Sequence, residues 1–121
     1  MVKALFDSNI LIDFLSGREP ARAELALYPD KAISMITWME VMVGVSDENR
    51  EATIGFLRHF TCIEIDQVVA EQAVALRGAY RLKLPGAIVW ASAMAHDRLL
   101  VTRDAKDIPA DHPGVRIPYD I

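Results

Sequence analysis

Residues 2–15 read VKALFDSNILIDFL, and this stretch sets the plan of the chain. Residues 2–6 form a short apolar run with strand character. From Ser8 onward, Ile10, Leu11, Phe14 and Leu15 recur at helical spacing. A strand thus passes into a helix across a single residue, Asp7. The same alternation continues outward. Gly17 and Pro20 break the first helix, and residues 21–27 begin a second. Residues 31–36 read as a strand, with a helix from Thr37 through Val45, and residues 47–59 are helical again. Residues 61–65 form a strand bounded by Asp66, and residues 66–83 are the longest helical stretch. Pro85 suits a first helical position, and residues 87–96 continue as a helix of small and apolar residues. Residues 98–102 and 114–117 complete the pattern as a fourth and a fifth strand. Strands that alternate with helices imply a parallel sheet covered on both faces. The expectation is an α/β fold: one domain over residues 1–121, with a central parallel sheet of about five short strands flanked by helices.

Composition narrows the class further. A chain of 121 residues is one domain's worth. It buries roughly two-thirds of its unfolded surface, so it needs no disulfide or zinc staple. The apolar fraction of 52% excludes a disordered tail or a low-complexity spacer. A lone cysteine, Cys62, excludes a disulfide framework within the chain and fits a reducing compartment. No apolar run approaches the ~20 residues of a membrane span, and the first residues lead into a strand without a secretory pattern. A soluble, cytoplasmic protein is expected. The 13 basic and 17 acidic residues leave a formal charge of −4. That argues against binding nucleic acid by positive charge alone. It leaves room for an enzyme that acts on nucleic acid through a metal held by carboxylates. Nine of the basic residues are Arg, the side chain suited to bidentate phosphate contact.

In an open parallel sheet, ligands bind beyond the carboxyl ends of the strands. Asp7 follows the first strand, Glu40 falls in the first turn of the helix after the second, and Asp104 and Asp107 follow the fourth. Four acids from distant parts of the chain therefore converge on one sheet edge. Crowded carboxylates repel unless a cation sits between them. Mg²⁺, or Mn²⁺ by similar preference, takes carboxylates, water and phosphate oxygens. Water activated by such a metal attacks phosphodiesters. Each acid also has a plainer reading. Asp7 can cap the helix that follows. Glu40 stands three residues after Thr37, the capping-box spacing. Asp104 and Asp107 suit a polar turn.

Other residues weigh less. His59, His96 and His112 lack metal-ligand spacing and read as structural or surface residues. Trp38, Trp90 and the methionines fall in apolar helices as core or interface. Asp13 reads as a polar-face residue, and Cys62 as a small buried side chain in its strand. No glycine-rich phosphate loop is present.

Three segments carry a family resemblance. Phe6-Asp7-Ser8-Asn9-Ile10-Leu11-Ile12, then Ser34-Met35-Ile36-Thr37-Trp38-Met39-Glu40-Val41 with Gly44, then Leu100-Val101-Thr102-Arg103-Asp104-Ala105-Lys106-Asp107-Ile108 resemble a PIN domain. The likeness is to the VapC-type ribonuclease toxins of bacterial toxin–antitoxin pairs, and it covers almost the whole chain. It implies a Mg²⁺- or Mn²⁺-dependent endoribonuclease acting on RNA. It also implies a homodimer held inactive by a VapB-type antitoxin, with DNA contacted only through that antitoxin. Asp7, Glu40 and Asp104 match acidic, metal-binding positions of the family, and Asp107 is a further acid in the same loop. At Leu84-Pro85-Gly86-Ala87-Ile88-Val89-Trp90-Ala91 the chain departs from the pattern. The family usually places an Asp where Gly86 stands.

Two readings follow from that departure. One is an RNA-cleaving toxin weakened by Gly86. The other is a catalytically disabled PIN fold retained for antitoxin binding and regulation. A phosphoryl-accepting receiver domain shares the length and the alternating plan, with Asp66 in the acceptor's place. It should carry a paired acid after the first strand and a late lysine. Here Ser8 follows Asp7, and no lysine follows Lys106.

Overall fold

The strand Ala4–Phe6 (β1) is buried throughout, and its side chains separate by the two-residue period of a strand. Ala4 and Phe6 pack on one face of the sheet and Leu5 on the other. The neighbouring strands divide in the same way. Ala32 of Lys31–Ser34 (β2) and Leu100 of Leu99–Val101 (β4) join Leu5, while Ile33 and Val101 join Phe6. A strand buried on both faces needs helices on both sides, and the order of elements supplies them.

The computed structural model describes residues 2–120. Thr61–Ile63 (β3) and Val115–Arg116 (β5) complete a five-stranded sheet in the order β3-β2-β1-β4-β5, with every pairing parallel. On the Phe6 face lie Ser8–Leu15 (α1), Glu19–Ala26 (α2), Met35–Val43 (α3) and Arg50–Leu57 (α4). On the Leu5 face lie Gln67–Tyr80 (α5) and Leu84–Ala95 (α6), packed around the fully buried Trp90. The chain builds outward from β1 to β2 and β3, then returns through α5 and α6 to β4 on the other side of β1. Strand order therefore reverses between β1 and β4, which makes their carboxyl ends the expected ligand crevice. Ile108, buried in the α5–α6 cluster, ties down the segment that follows β4.

The expected α/β plan holds, and several boundaries move for local reasons. Pro20 does not break a helix but lies within the first turn of α2, where its missing N–H costs nothing. The second strand stops at Ser34, whose side chain accepts from the Ile36 N–H and caps α3. α3 therefore begins two residues before Thr37. Residues 47–49 form a 3₁₀ turn ahead of α4. The long α5 ends before Arg81, whose backbone is left-handed at φ 57°. Cys62 is exposed rather than buried, because β3 is an edge strand. Among the described residues, no helix is long and apolar enough to cross a membrane.

Candidate active site

The end of β1 is locked to the end of β4. The Asp7 N–H donates to the Val101 carbonyl at 2.9 Å, so the first residues beyond the two strands stand side by side. Asp7 has an extended backbone and caps α1, accepting from the Ser8 N–H at 2.7 Å. Its other carboxylate oxygen accepts from the Thr102 hydroxyl at 2.8 Å. The same hydroxyl oxygen accepts from the Asp104 N–H at 3.1 Å. Asn9, the second residue of α1, donates to Thr102 at 3.2 Å and accepts from the Arg103 N–H at 3.1 Å. Asp104 in turn holds its own loop, accepting from the Lys106 and Asp107 N–H groups at 3.1 Å each.

Glu40 reaches this edge from α3. It lies in the second turn of that helix rather than the first, because α3 starts at Met35. The capping-box reading with Thr37 fails for the same reason: Ser34 is the cap, and Thr37 is a fully buried helix residue. Glu40 instead accepts from the Ser8 hydroxyl at 2.6 Å, across 32 residues of sequence. Ser8 thereby links two of the acids, with its N–H on Asp7 and its hydroxyl on Glu40.

Asp7, Glu40, Asp104, Asp107 and Gly86 all line one cavity of about 390 Å³ at the switch point. Burial, the largest influence, pushes the Asp7 carboxyl above its ordinary value. Hydrogen bonds from Thr102 and Ser8 pull it down, and the charges of Glu40 and Asp104 push it up again. Glu40 and Asp107 are exposed at the mouth. Gly86, the third residue of α6, has no atom within 4 Å of where a Cβ would stand. Lys83, just before α6, is exposed at the same rim.

Among the described residues, no three carboxylate, imidazole or thiol groups form a ready-made metal cage. The donors nevertheless fit a hydrated hard cation. Mg²⁺ keeps several waters and is commonly held through one or two carboxylates, so a spaced set of acids around a roomy cavity suffices. Burial raises the Asp7 carboxyl and the charges of Glu40 and Asp104 add to it, and a bound cation would offset both.

Sequence reasoning placed the four acids at this edge and missed the residues that orient them: Ser8, Asn9, Thr102 and Arg103. All four lie in the quoted motifs, within two residues of an acid at a strand end, and that proximity was the signal. Asp13 corrects the reading of a polar-face residue. It is buried and receives Arg103 Nε at 2.8 Å, Arg103 Nη2 at 3.1 Å and the Tyr119 hydroxyl at 2.8 Å.

The PIN-domain sequence profile matches residues 4–109, nearly the whole chain. The chain belongs to the PIN-domain family. PIN domains are generally nucleases and typically depend on a divalent metal. This PIN domain is similar to a chain of a toxin–antitoxin complex from Klebsiella pneumoniae. The two share 50% identity and a TM-score of 0.93, over 98% of this chain and 100% of that one. A DNA-bound VapBC from Salmonella typhimurium matches at 22% identity and TM-score 0.79, over 96% of each chain. FitAcB from Neisseria gonorrhoeae matches at 20% identity and TM-score 0.81, over 98% of this chain and 99% of that one. At such identities the last two speak for the fold alone. The Klebsiella match and the PIN profile support the resemblance to a toxin of a toxin–antitoxin pair. Among curated proteins, no sequence matches this PIN domain.

Proposed function

We propose that this PIN-domain protein is a VapC-type toxin: a Mg²⁺- or Mn²⁺-dependent endoribonuclease, neutralised by a VapB-type antitoxin, with cleavage reduced by Gly86. The observation that carries the reading is the convergence of Asp7, Glu40, Asp104, Asp107 and Gly86 on one cavity at the switch point. Asp7, Glu40 and Asp104 would hold the cation. When bound, it supplies an activated water and offsets charge that develops on the phosphodiester. The chain's own part is orientation. Ser8 and Thr102 fix the Asp7 carboxylate, Ser8 fixes Glu40, and backbone N–H groups fix one oxygen of Asp104. Lys83 offers an ammonium at the rim for a neighbouring RNA phosphate.

The antitoxin seat is a second cavity of about 560 Å³ on α1, α3 and α4, lined by residues that include Ile12, Leu15, Val41 and Val45. Ile12 and Glu40 line both cavities, so a segment seated there abuts the acidic pocket. Exposed Val68, Val74 and Leu84 on the opposite helices supply apolar area for a homodimer. In this reading the protein works in the cytoplasm, and its contact with DNA is indirect, through the antitoxin.

Gly86 favours keeping a second reading: the same fold with a disabled site, retained for antitoxin binding. The open space at Gly86 accommodates an aspartate, and a carboxylate near a helix start is favoured by the dipole. Wild type and Gly86→Asp are compared on RNA with Mg²⁺, Mn²⁺ and EDTA. A metal-dependent gain on the order of 10²–10³ in the variant is expected. Equal, EDTA-sensitive cleavage by both shows that Gly86 is not a missing ligand. Equal inactivity favours the binding-protein reading.

A further inference from the structure

The loop after β4 is fastened to α1 at three points that follow the helix. Asp7 receives the Thr102 hydroxyl, Asn9 receives the Arg103 N–H, and Asp13 receives the Arg103 guanidinium through two nitrogens. The acceptors of the first two bonds, Asp7 and Asn9, line the acidic pocket. The third lies outside it, because Asp13 and Arg103 do not line that cavity. Asp13 also carries a contact from the C-terminal segment, the Tyr119 hydroxyl at 2.8 Å. Arg18 approaches the same carboxylate at 3.7 Å. A buried carboxylate met by a bidentate guanidinium and a phenol has little freedom to move. Arg103 is flanked by Thr102 and Asp104, so fixing its side chain fixes the backbone that carries both.

We propose that Asp13, Arg103 and Tyr119 form a positioning clamp that sets the Asp104 carboxylate opposite Asp7, acting on the metal pocket through the backbone of residues 102–104. The clamp rests on the reading of that pocket as a divalent-metal site. Its members never touch the cation. They act as the outer partners of a metal centre do, by denying the ligands other orientations.

The test uses the full chain and two mild variants. Arg103→Lys keeps the charge but loses the bidentate fork, and Tyr119→Phe removes one donor while keeping the ring. Amide hydrogen exchange is followed first in metal-free protein. Faster exchange at the Asp104, Lys106 and Asp107 amides is expected, with protection of the β1 and β2 amides unchanged. Unchanged exchange at those three amides, or faster exchange spread evenly over the sheet, overturns the clamp. Mn²⁺ alone is then titrated and followed by its electron paramagnetic resonance. A loss of affinity of roughly 10-fold is expected in Arg103→Lys, the low end of such outer-partner effects. Affinity equal to wild type overturns the proposal. If wild type and Gly86→Asp both fail to bind Mn²⁺, the metal reading falls and with it the clamp's role at a metal site, whereas the exchange data still report separately on the loop.

Discussion

Thr102, the first residue beyond β4, donates its hydroxyl to Asp7, the first residue beyond β1, at 2.8 Å. The hydroxyl oxygen also receives the Asp104 N–H at 3.1 Å. One fully buried side chain therefore sits between two acids of the pocket and sets their spacing. Thr102→Val keeps the shape and removes both bonds, together with the one from the Asn9 amide. It should cost about 1–3 kcal/mol in urea unfolding, the range for leaving buried polar groups unpaired. It should also move the Asp7 titration upward, since the lost bond is one that lowers it. Thr102→Ser should keep the Asp7 titration in place. Carboxyl chemical shifts against pH read both variants.

Asp7 titrates above its ordinary range in the metal-free protein, mainly through burial. The sign follows from linkage: the native state resists losing this proton, so stability falls as pH rises through the raised value. Asp7→Asn retains an N-cap of similar quality. It should match wild type near pH 3 and exceed it by about 2–5 °C in melting temperature at neutral pH without metal, for a difference on the order of 1 kcal/mol. It should also lose any stabilisation by Mg²⁺. A wild-type advantage at neutral pH in EDTA would contradict the buried-charge account.

Asp13 behaves in the opposite sense. Burial alone would raise its carboxyl, but hydrogen bonds from Arg103 and Tyr119, with the charges of Arg103 and Arg18, hold it below the ordinary value. A depressed native pKa contributes stability above the unfolded value and loses it as pH falls through the native one. Asp13→Asn should cost on the order of 3 kcal/mol at pH 7, as breaking a buried pair does. The deficit should shrink below about pH 4. Urea titrations at pH 7 and at pH 3 measure the two deficits, and equal ones would show that the ionised form is not what stabilises.

Gly86 separates folding from chemistry. Glycine within a helix costs about 1 kcal/mol against alanine, and the position has room for a side chain. Gly86→Ala should therefore stabilise the protein by roughly 0.5–1 kcal/mol with or without metal. Gly86→Asp adds a further carboxylate to a pocket already lined by Asp7, Glu40, Asp104 and Asp107. It should trail Gly86→Ala in EDTA and gain on it when Mn²⁺ is added, as calorimetric melts of both variants would show.

The groove on α1, α3 and α4 gives a binding prediction. Leu15 is 43% exposed and lines that groove but not the acidic cavity. Leu15→Asp should weaken capture of the antitoxin by about tenfold or more, since apolar anchors dominate such interfaces. Its melting temperature should stay near wild type. Titration calorimetry with a VapB-type antitoxin, the partner proposed above, measures the loss. Undiminished affinity would move the antitoxin seat elsewhere.

The alternation of β1 with α1, and of each later strand with its helices, was legible from residue spacing alone. So was the arrival of Asp7, Glu40 and Asp104 at one sheet edge. Both depend on short-range rules: the two-residue period of a strand, the turn of a helix, and the fixed direction of a parallel sheet. The partners of those acids were a different matter. Glu40 looked like half of a capping box until Ser34 proved to be the cap, leaving its carboxylate for Ser8. Asp13 looked like a solvated face residue until Arg103, 90 positions later, came to lie on it. Cys62 looked buried until its strand proved to be an edge. Each of these depends on which distant segment packs alongside, and a local pattern holds no record of that. Only closure of the sheet, with β4 returning beside β1, brings Thr102 and Arg103 onto α1 and so decides how the acids are held.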